Sequence, residues 1–217
     1  MELHLLYYNV ILGLLLMLAG WPQLALAHPH SFIAIKTTPV VKGDNLTGLS
    51  MIWTMDEITS ADLLYDAGNA GPDSVVWKKL AAEVMANVLG QHYFSEFWHQ
   101  GKAVKFDNLP PQYRLYRQGA KAVLAFILPL ARPQPLAGQQ YKFLTFDPTY
   151  FVDMYYDKPD DLSLPDALKG RCHFALHTPP ADAALKNYAL SLDKADAPPV
   201  DMDLGRQFAQ TVTLTCQ

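Results

Sequence analysis

The stretch that decides the fold class is Leu46-Thr47-Gly48-Leu49-Ser50-Met51-Ile52-Trp53-Thr54-Met55-Asp56-Glu57 (residues 46–57). Leu49, Met51, Trp53 and Met55 take every second position, with Ser50, Ile52, Thr54 and Asp56 between them. Successive side chains of a strand point to opposite faces, so a period of two buries one row and leaves the other half-solvated. Upstream, Ser31 to Val41 is apolar and rich in β-branched residues, and it stops near Gly43-Asp44-Asn45, a turn cluster. The two segments are expected to pair as a hairpin.

Downstream the pattern changes. Thr59-Ser60 can cap a short helix over 61–67, and Pro72-Asp73-Ser74 signals the start of another. Val76, Leu80, Val84 and Val88 recur every four residues, which predicts the buried stripe of a helix ended by Gly90. The aromatic cluster Tyr93, Phe94, Phe97 and Trp98 is expected to pack that helix onto a sheet. From Ala103 onward the chain reads as strands over 103–106, 113–117, 122–128, 140–146, 151–156, 172–178 and 208–216. Pro-rich turns are expected at Pro110-Pro111, Pro129 to Pro135 and Pro179-Pro180, a helix over 181–192, and an exposed loop over 193–203. Many short strands with turn punctuation predict an α+β domain, mainly an antiparallel β-sandwich, with a helical insertion at about 57–99.

The first 27 residues bear on compartment. An apolar run from Val10 to Ala19 is followed by Gly20, Pro22 and the small-x-small ending Leu24-Ala25-Leu26-Ala27. This is the pattern of a secretory signal, too short for a membrane span of ~20 apolar residues. Residues 1–27 are therefore read as a signal peptide and 28–217 as a single exported, periplasmic domain. The leader carries Glu2 and His4 but no Lys or Arg, so an uncleaved anchor is the alternative. No later segment is long and apolar enough to span a bilayer, so a soluble mature protein is expected. A net charge of −4 argues against nucleic acid, which calls for a basic face. The two cysteines, Cys172 and Cys216, read first as one disulfide, which would stabilise by about 3–4 kcal/mol.

Cleavage after Ala27 would begin the protein at His28-Pro29-His30. An N-terminal histidine offers one metal ion both its imidazole and the freed α-amine, and His30 adds a second imidazole. Pro29 has no backbone N–H to deprotonate, which excludes the amino-terminal amide chelate of Cu(II) and Ni(II). A histidine-brace-like arrangement remains, and its nitrogen ligands suit zinc, copper and nickel alike. His92 and His99 read as surface or packing residues. His173 and His177 alternate with Cys172, Phe174 and Leu176; on a strand they stand about 13 Å apart, too far to share an ion. The chain holds no G-x-S-x-G elbow, no G-x-G-x-x-G and no P-loop. No enzyme activity is expected.

These motifs together resemble a family of periplasmic proteins, a domain-of-unknown-function group associated with ABC-type transport. The resemblance rests on HPHSFI (28–33), LTGLSMIWTMDE (46–57), Tyr93-Phe94, FILPLARP (126–133), FDPTYFVDM (146–154) and Cys172 before a last strand. It implies a secreted accessory that binds a divalent metal, zinc first and nickel/cobalt or copper second, and works with a membrane metal permease of the nickel/cobalt-exporter type. His28 and His30 are the ligands on which residues and resemblance agree. Asp56 joins them because it lies in the matching WTMDE stretch, although an aspartate there equally caps a helix. Asp147 and Asp153 also match, with Asp147-Pro148 readable as turn chemistry. The competing readings are a copper histidine-brace oxidative enzyme, akin to lytic polysaccharide monooxygenases, and a metal-free permease-docking module.

Overall fold

The computed structural model describes residues 29–180, 182–192 and 198–217. The expected signal peptide and His28 lie outside the described residues. The hairpin forms as the alternation requires. Strand β1 (Ser31–Lys42) pairs antiparallel with β2 (Asn45–Met55), setting Ile33 opposite Met55, Ile35 opposite Trp53 and Thr37 opposite Met51. All of these side chains are buried. Gly43, at φ 59°, makes the turn between them.

Helices α1 (Glu57–Ala67) and α2 (Val75–Gly90) follow. Next come β3 (Ser95–His99), β4 (Lys102–Ala103), β5 (Tyr113–Gln118), β6 (Lys121–Pro135), β7 (Gln140–Thr145), β8 (Val152–Tyr155) and β9 (Cys172–His177). The chain closes with α3 (Ala183–Ser191), α4 (Leu204–Phe208) and β10 (Thr211–Cys216). The strands make two five-stranded sheets, in the orders β5-β6-β2-β1-β8 and β4-β3-β7-β10-β9. Their apolar faces share one core, with Ile35, Met51, Trp53 and Leu124 from the first sheet and Phe97, Tyr141, Phe143 and Leu214 from the second. Trp53 is the largest of its fully buried side chains, with the Phe126 ring edge-on at 5.0 Å. Helix α1 lies against β6 and α2 against β5. The expected α+β sandwich with a helical insertion is what the chain adopts.

Several local expectations are corrected. Asp56, not Thr59-Ser60, caps α1: its carboxylate accepts from the Thr59 N–H, and the helix starts at Glu57. The buried stripe of α2 is Trp77, Leu80, Ala81, Met85 and Val88, while Val76 faces out, 40 % exposed. A strict four-residue spacing drifts around a helix of 3.6 residues per turn, so it cannot stay on one buried face for four turns. The insertion ends at Phe94 rather than 99, because Ser95–His99 pairs with β7 as a strand. Of the strand expected over 103–106, only Ala103 belongs to β4, and Phe106 bridges to Leu130.

The Pro-rich run 129–135 is not a turn. Strand β6 continues through it, and Pro129 falls where the ladder to β2 is already interrupted. Pro129 sits beside the β2–β6 register shift at Leu46/Gly48, where it accepts from the Asp107 N–H, and the Ala131 N–H goes to the Lys105 carbonyl. Gly48 permits this approach, since a Cβ there would lie 2.5 Å from the Leu128 carbonyl oxygen. Phe208 ends α4 rather than opening β10. Within the loop expected over 193–203, Val200–Met202 forms a 3-10 turn, and 193–197 lie outside the described residues.

One pairing departs from the antiparallel expectation. β8 runs parallel to β1, with Ser31 opposite Val152, Phe32 opposite Asp153 and Ile33 opposite Met154. The two strands are far apart in sequence, as a parallel neighbour requires, because the chain must cross over to return in the same direction.

Candidate functional site

The described chain begins beside this parallel pair. The His30 N–H donates to the Phe151 carbonyl at 2.9 Å, extending the β1–β8 ladder by one rung, and the two rings stand 4.9 Å apart. Ser31 and Ile33 are buried and Phe32 is exposed. His30 and Phe32 therefore share the outer face of the sheet, while Ser31 and Ile33 face the core.

Two carboxylates flank Phe32 on that face. Asp56 approaches from β2: its N–H donates to the Phe32 carbonyl at 3.0 Å, and its Oδ2 accepts from the Phe32 N–H at 2.6 Å. The same carboxylate takes the Thr59 N–H at 2.8 Å and the Thr59 hydroxyl at 2.8 Å. Asp56 thus ties the first turn of α1 to β1. Burial alone would raise its pKa, but the donors from Thr59 and Phe32 outweigh that and hold it below the ordinary carboxylate value. Asp56→Ala is expected to cost about 1 kcal/mol, as loss of an N-cap does. A carboxylate whose folded pKa is depressed contributes stability above its unfolded pKa and loses it as pH falls through the folded one. Urea unfolding at pH 7 and pH 3 should therefore show a wild-type advantage over Asp56→Asn that shrinks toward the acid end.

Asp153 stands on the other side, directly opposite Phe32 in the parallel register and diagonal to His30. It is half-buried, and no described donor bonds its carboxylate. Desolvation raises its pKa. The loop that carries it is closely held. Asp147, itself buried, accepts from the Thr149 N–H and hydroxyl and from the Val152 N–H. The Tyr150 ring stacks on Phe208 at 4.2 Å, and the Gly205 N–H donates to the Pro148 carbonyl. Asp147 is thus spent on turn chemistry, the alternative its Asp-Pro dipeptide offered.

The structure brings His30, Asp56 and Asp153 to one end of one sheet face, and His28 lies outside the described residues. Among the described residues no three His, Cys, Asp or Glu side chains stand close enough to hold an ion by themselves. His173 and His177 are exposed on β9, as the strand reading requires. His99 bonds Gln139 at 2.8 Å and packs on Tyr141. Asp153 lies between Val152 and Met154, and strand parity puts it on the face away from Met154 and the core.

Elsewhere, a cleft of about 530 Å³ opens between the end of α2 and the segment 103–108, lined by Tyr93, Trp98, Lys105 and Phe106. It shares no residue with the β1–β8 end. His92 and Tyr93 on its border and Phe94 next to them in the chain have φ of 49°, 62° and 48°, a left-handed turn without glycine. The Tyr93 hydroxyl, bonded to the Asp107 carbonyl at 3.0 Å, helps hold it.

Cys172 and Cys216 form a disulfide between register partners of β9 and β10. Such a bond fits an extracytoplasmic protein. Among the described residues no helix is long and apolar enough to cross a membrane.

The family model described as "Protein of unknown function (DUF1007)" matches residues 13–216. An uncharacterized protein of Haemophilus influenzae is 36% identical over 211 residues, covering 97% of this chain and 98% of its own length. No solved structure matches the chain significantly.

Proposed function

We propose that this chain, which belongs to the family of proteins of unknown function DUF1007, is a periplasmic accessory that binds one divalent metal ion at its mature N-terminus and exchanges it with a membrane permease. Zinc is the first candidate, ahead of nickel/cobalt. The observation that carries this reading is the placement of His30. The ladder bond to Phe151 holds its backbone at the edge of a rigid sheet. His28, two residues further out, would then present its imidazole and amine beside an imidazole whose backbone is already ordered. Part of the entropy cost of assembling a chelate is thereby met in advance. The disulfide supports export, and the signal-like leader supports the cut that creates the amine ligand.

Zinc titration of protein whose N-terminus is confirmed by mass spectrometry to be His28 should show one site at neutral pH. His28→Ala should abolish it, and a glycine added before His28 should weaken it by displacing the amine. Unchanged affinity in both variants would refute a terminal site. A copper brace would instead give a Cu(II) electron paramagnetic resonance spectrum with peroxide-dependent substrate oxidation, and a metal-free docking module would take up no ion.

A further inference from the structure

We infer that strand β9 is a docking edge for a second copy of this chain, paired antiparallel about a two-fold axis at Ala175. The two five-stranded sheets that carry β9 then join as one continuous sheet. The inference stands independently of the metal site proposed above.

Each sheet of the sandwich ends in two edge strands, whose unpaired N–H and C=O groups can template another strand. Three of the four edges are guarded. β4 is two residues long and β8 is four. β5 carries Arg114 and Arg117 and has α2 against it. β9 has none of these guards. Its six residues, Cys172-His173-Phe174-Ala175-Leu176-His177, include no proline and no Lys, Arg, Asp or Glu. Its pairing with β10 runs without a bulge from Cys172 to His177, and among the described residues β10 alone pairs with it.

The ladder fixes which groups this edge presents. The Gln217 N–H donates to the Arg171 carbonyl at 2.8 Å, while the Cys216 N–H turns the other way, to the Gln139 carbonyl at 2.9 Å. Bonding residues alternate along an antiparallel pair, so Arg171, His173, Ala175 and His177 bond β10. Cys172, Phe174 and Leu176 turn their N–H and C=O groups to the open side. Among the described residues no other backbone group bonds them there.

This edge is complementary to itself. Antiparallel residues that exchange hydrogen bonds must both turn their amides to the shared edge. Centred on Ala175, the pairing matches Phe174 with the partner's Leu176 and Leu176 with the partner's Phe174. Cys172 meets the partner's Thr178, just past the strand end. The next rung would call on Pro180, which has no N–H to give, so the ladder is bounded at both ends. The side chains agree with this register. Phe174 and Leu176 are half-buried and lean on the core, and cross-strand pairs of an aromatic with an aliphatic side chain stabilise a sheet. On the outer face Ala175 meets its own copy and His173 meets the partner's His177. A contact of this kind uses the same patch on both chains, so it closes at two copies.

The test uses residues 28–217 with the disulfide intact, followed by sedimentation velocity over a range of concentrations at neutral pH. Wild type is expected to pass from monomer to dimer as concentration rises. Ala175 is exposed, so Ala175→Lys leaves the core alone. It sets two like charges face to face on the axis and should raise the dimer dissociation constant at least about tenfold. Ala175→Cys should join two copies through a 175–175 disulfide in oxidised glutathione, because directly opposed residues that do not exchange hydrogen bonds stand close enough for that bond. Ala61→Cys, exposed on α1, should stay uncrosslinked under the same conditions. A wild type that stays monomeric overturns the inference. So does a dimer that Ala175→Lys leaves intact, or a 175 crosslink that forms no faster than one at 61. Zinc uptake by Ala175→Lys should match wild type, so failure of either reading leaves the other standing.

Discussion

Gly205→Ala should destabilise the protein by about 3 kcal/mol or more, at the upper end of what overpacking costs. A Cβ at this position would overlap the carbonyl oxygen of Asp147 and stand 2.7 Å from its carbon. Both are backbone atoms, so no rotamer can relieve the overlap. Either α4 or the 147–150 loop has to move. The Gly205–Pro148 hydrogen bond and the Tyr150–Phe208 stack would go with it, and so would the small second core of Ala189, Leu192 and Leu204. Urea unfolding checks the magnitude; a loss under 1 kcal/mol would mean that the loop accommodates a methyl group. Gly205→Ser should behave at least as badly.

Replacing both cysteines, as Cys172→Ser with Cys216→Ser, should cost about 3–4 kcal/mol, on the chain-entropy account of a crosslink of this span. The sequence separation is 44 residues, and the joined strands are already register partners. Val212 and Leu214 on β10 are fully buried and Phe174 on β9 packs against the same core, so the variant should fold with the same register. The loss should therefore appear as a lower urea midpoint, with a slope that rises as the uncrosslinked denatured chain expands. A midpoint shift worth less than 1 kcal/mol would show that the sheet alone restrains this end of the chain. The zinc uptake proposed above should be unaffected, since neither cysteine lies in the β1–β8 pair.

The parts of this molecule written in local periodicity were legible from residues alone. The alternation of Leu49, Met51, Trp53 and Met55 announced β2, Gly43-Asp44-Asn45 announced the turn, and the cysteine pair announced the disulfide. The misreadings share a physical cause. Ser95–His99 was absorbed into the insertion because Phe97 and Trp98 pack equally well on a helix or a strand, and only the ladder to β7 distinguishes them. The prolines of β6 signalled a turn because proline lacks an N–H, and whether that matters depends on what lies opposite. At Pro129 the neighbour is a register shift, and the missing donor goes unnoticed.

The candidate site divides in the same way. His28 and His30 stand two positions apart in the chain, so the expectation of a chelating terminus came from sequence alone, and Pro29 excluded one geometry by its own chemistry. Which carboxylate could join them was a different kind of question. Asp56, Asp147 and Asp153 look alike as letters, and each sits in a motif of comparable weight. The fold distinguishes them by what their oxygens already bind: Asp56 the cap of α1, Asp147 its own turn, Asp153 no described donor. That distinction depends on a parallel pairing between strands more than a hundred residues apart. Local sequence determined the strands of the sandwich, the bridge and the His-Pro-His segment, because those depend on neighbours along the chain. Tertiary structure decided which acids are already spent on hydrogen bonds, because partners across a sheet are assigned only when distant strands meet.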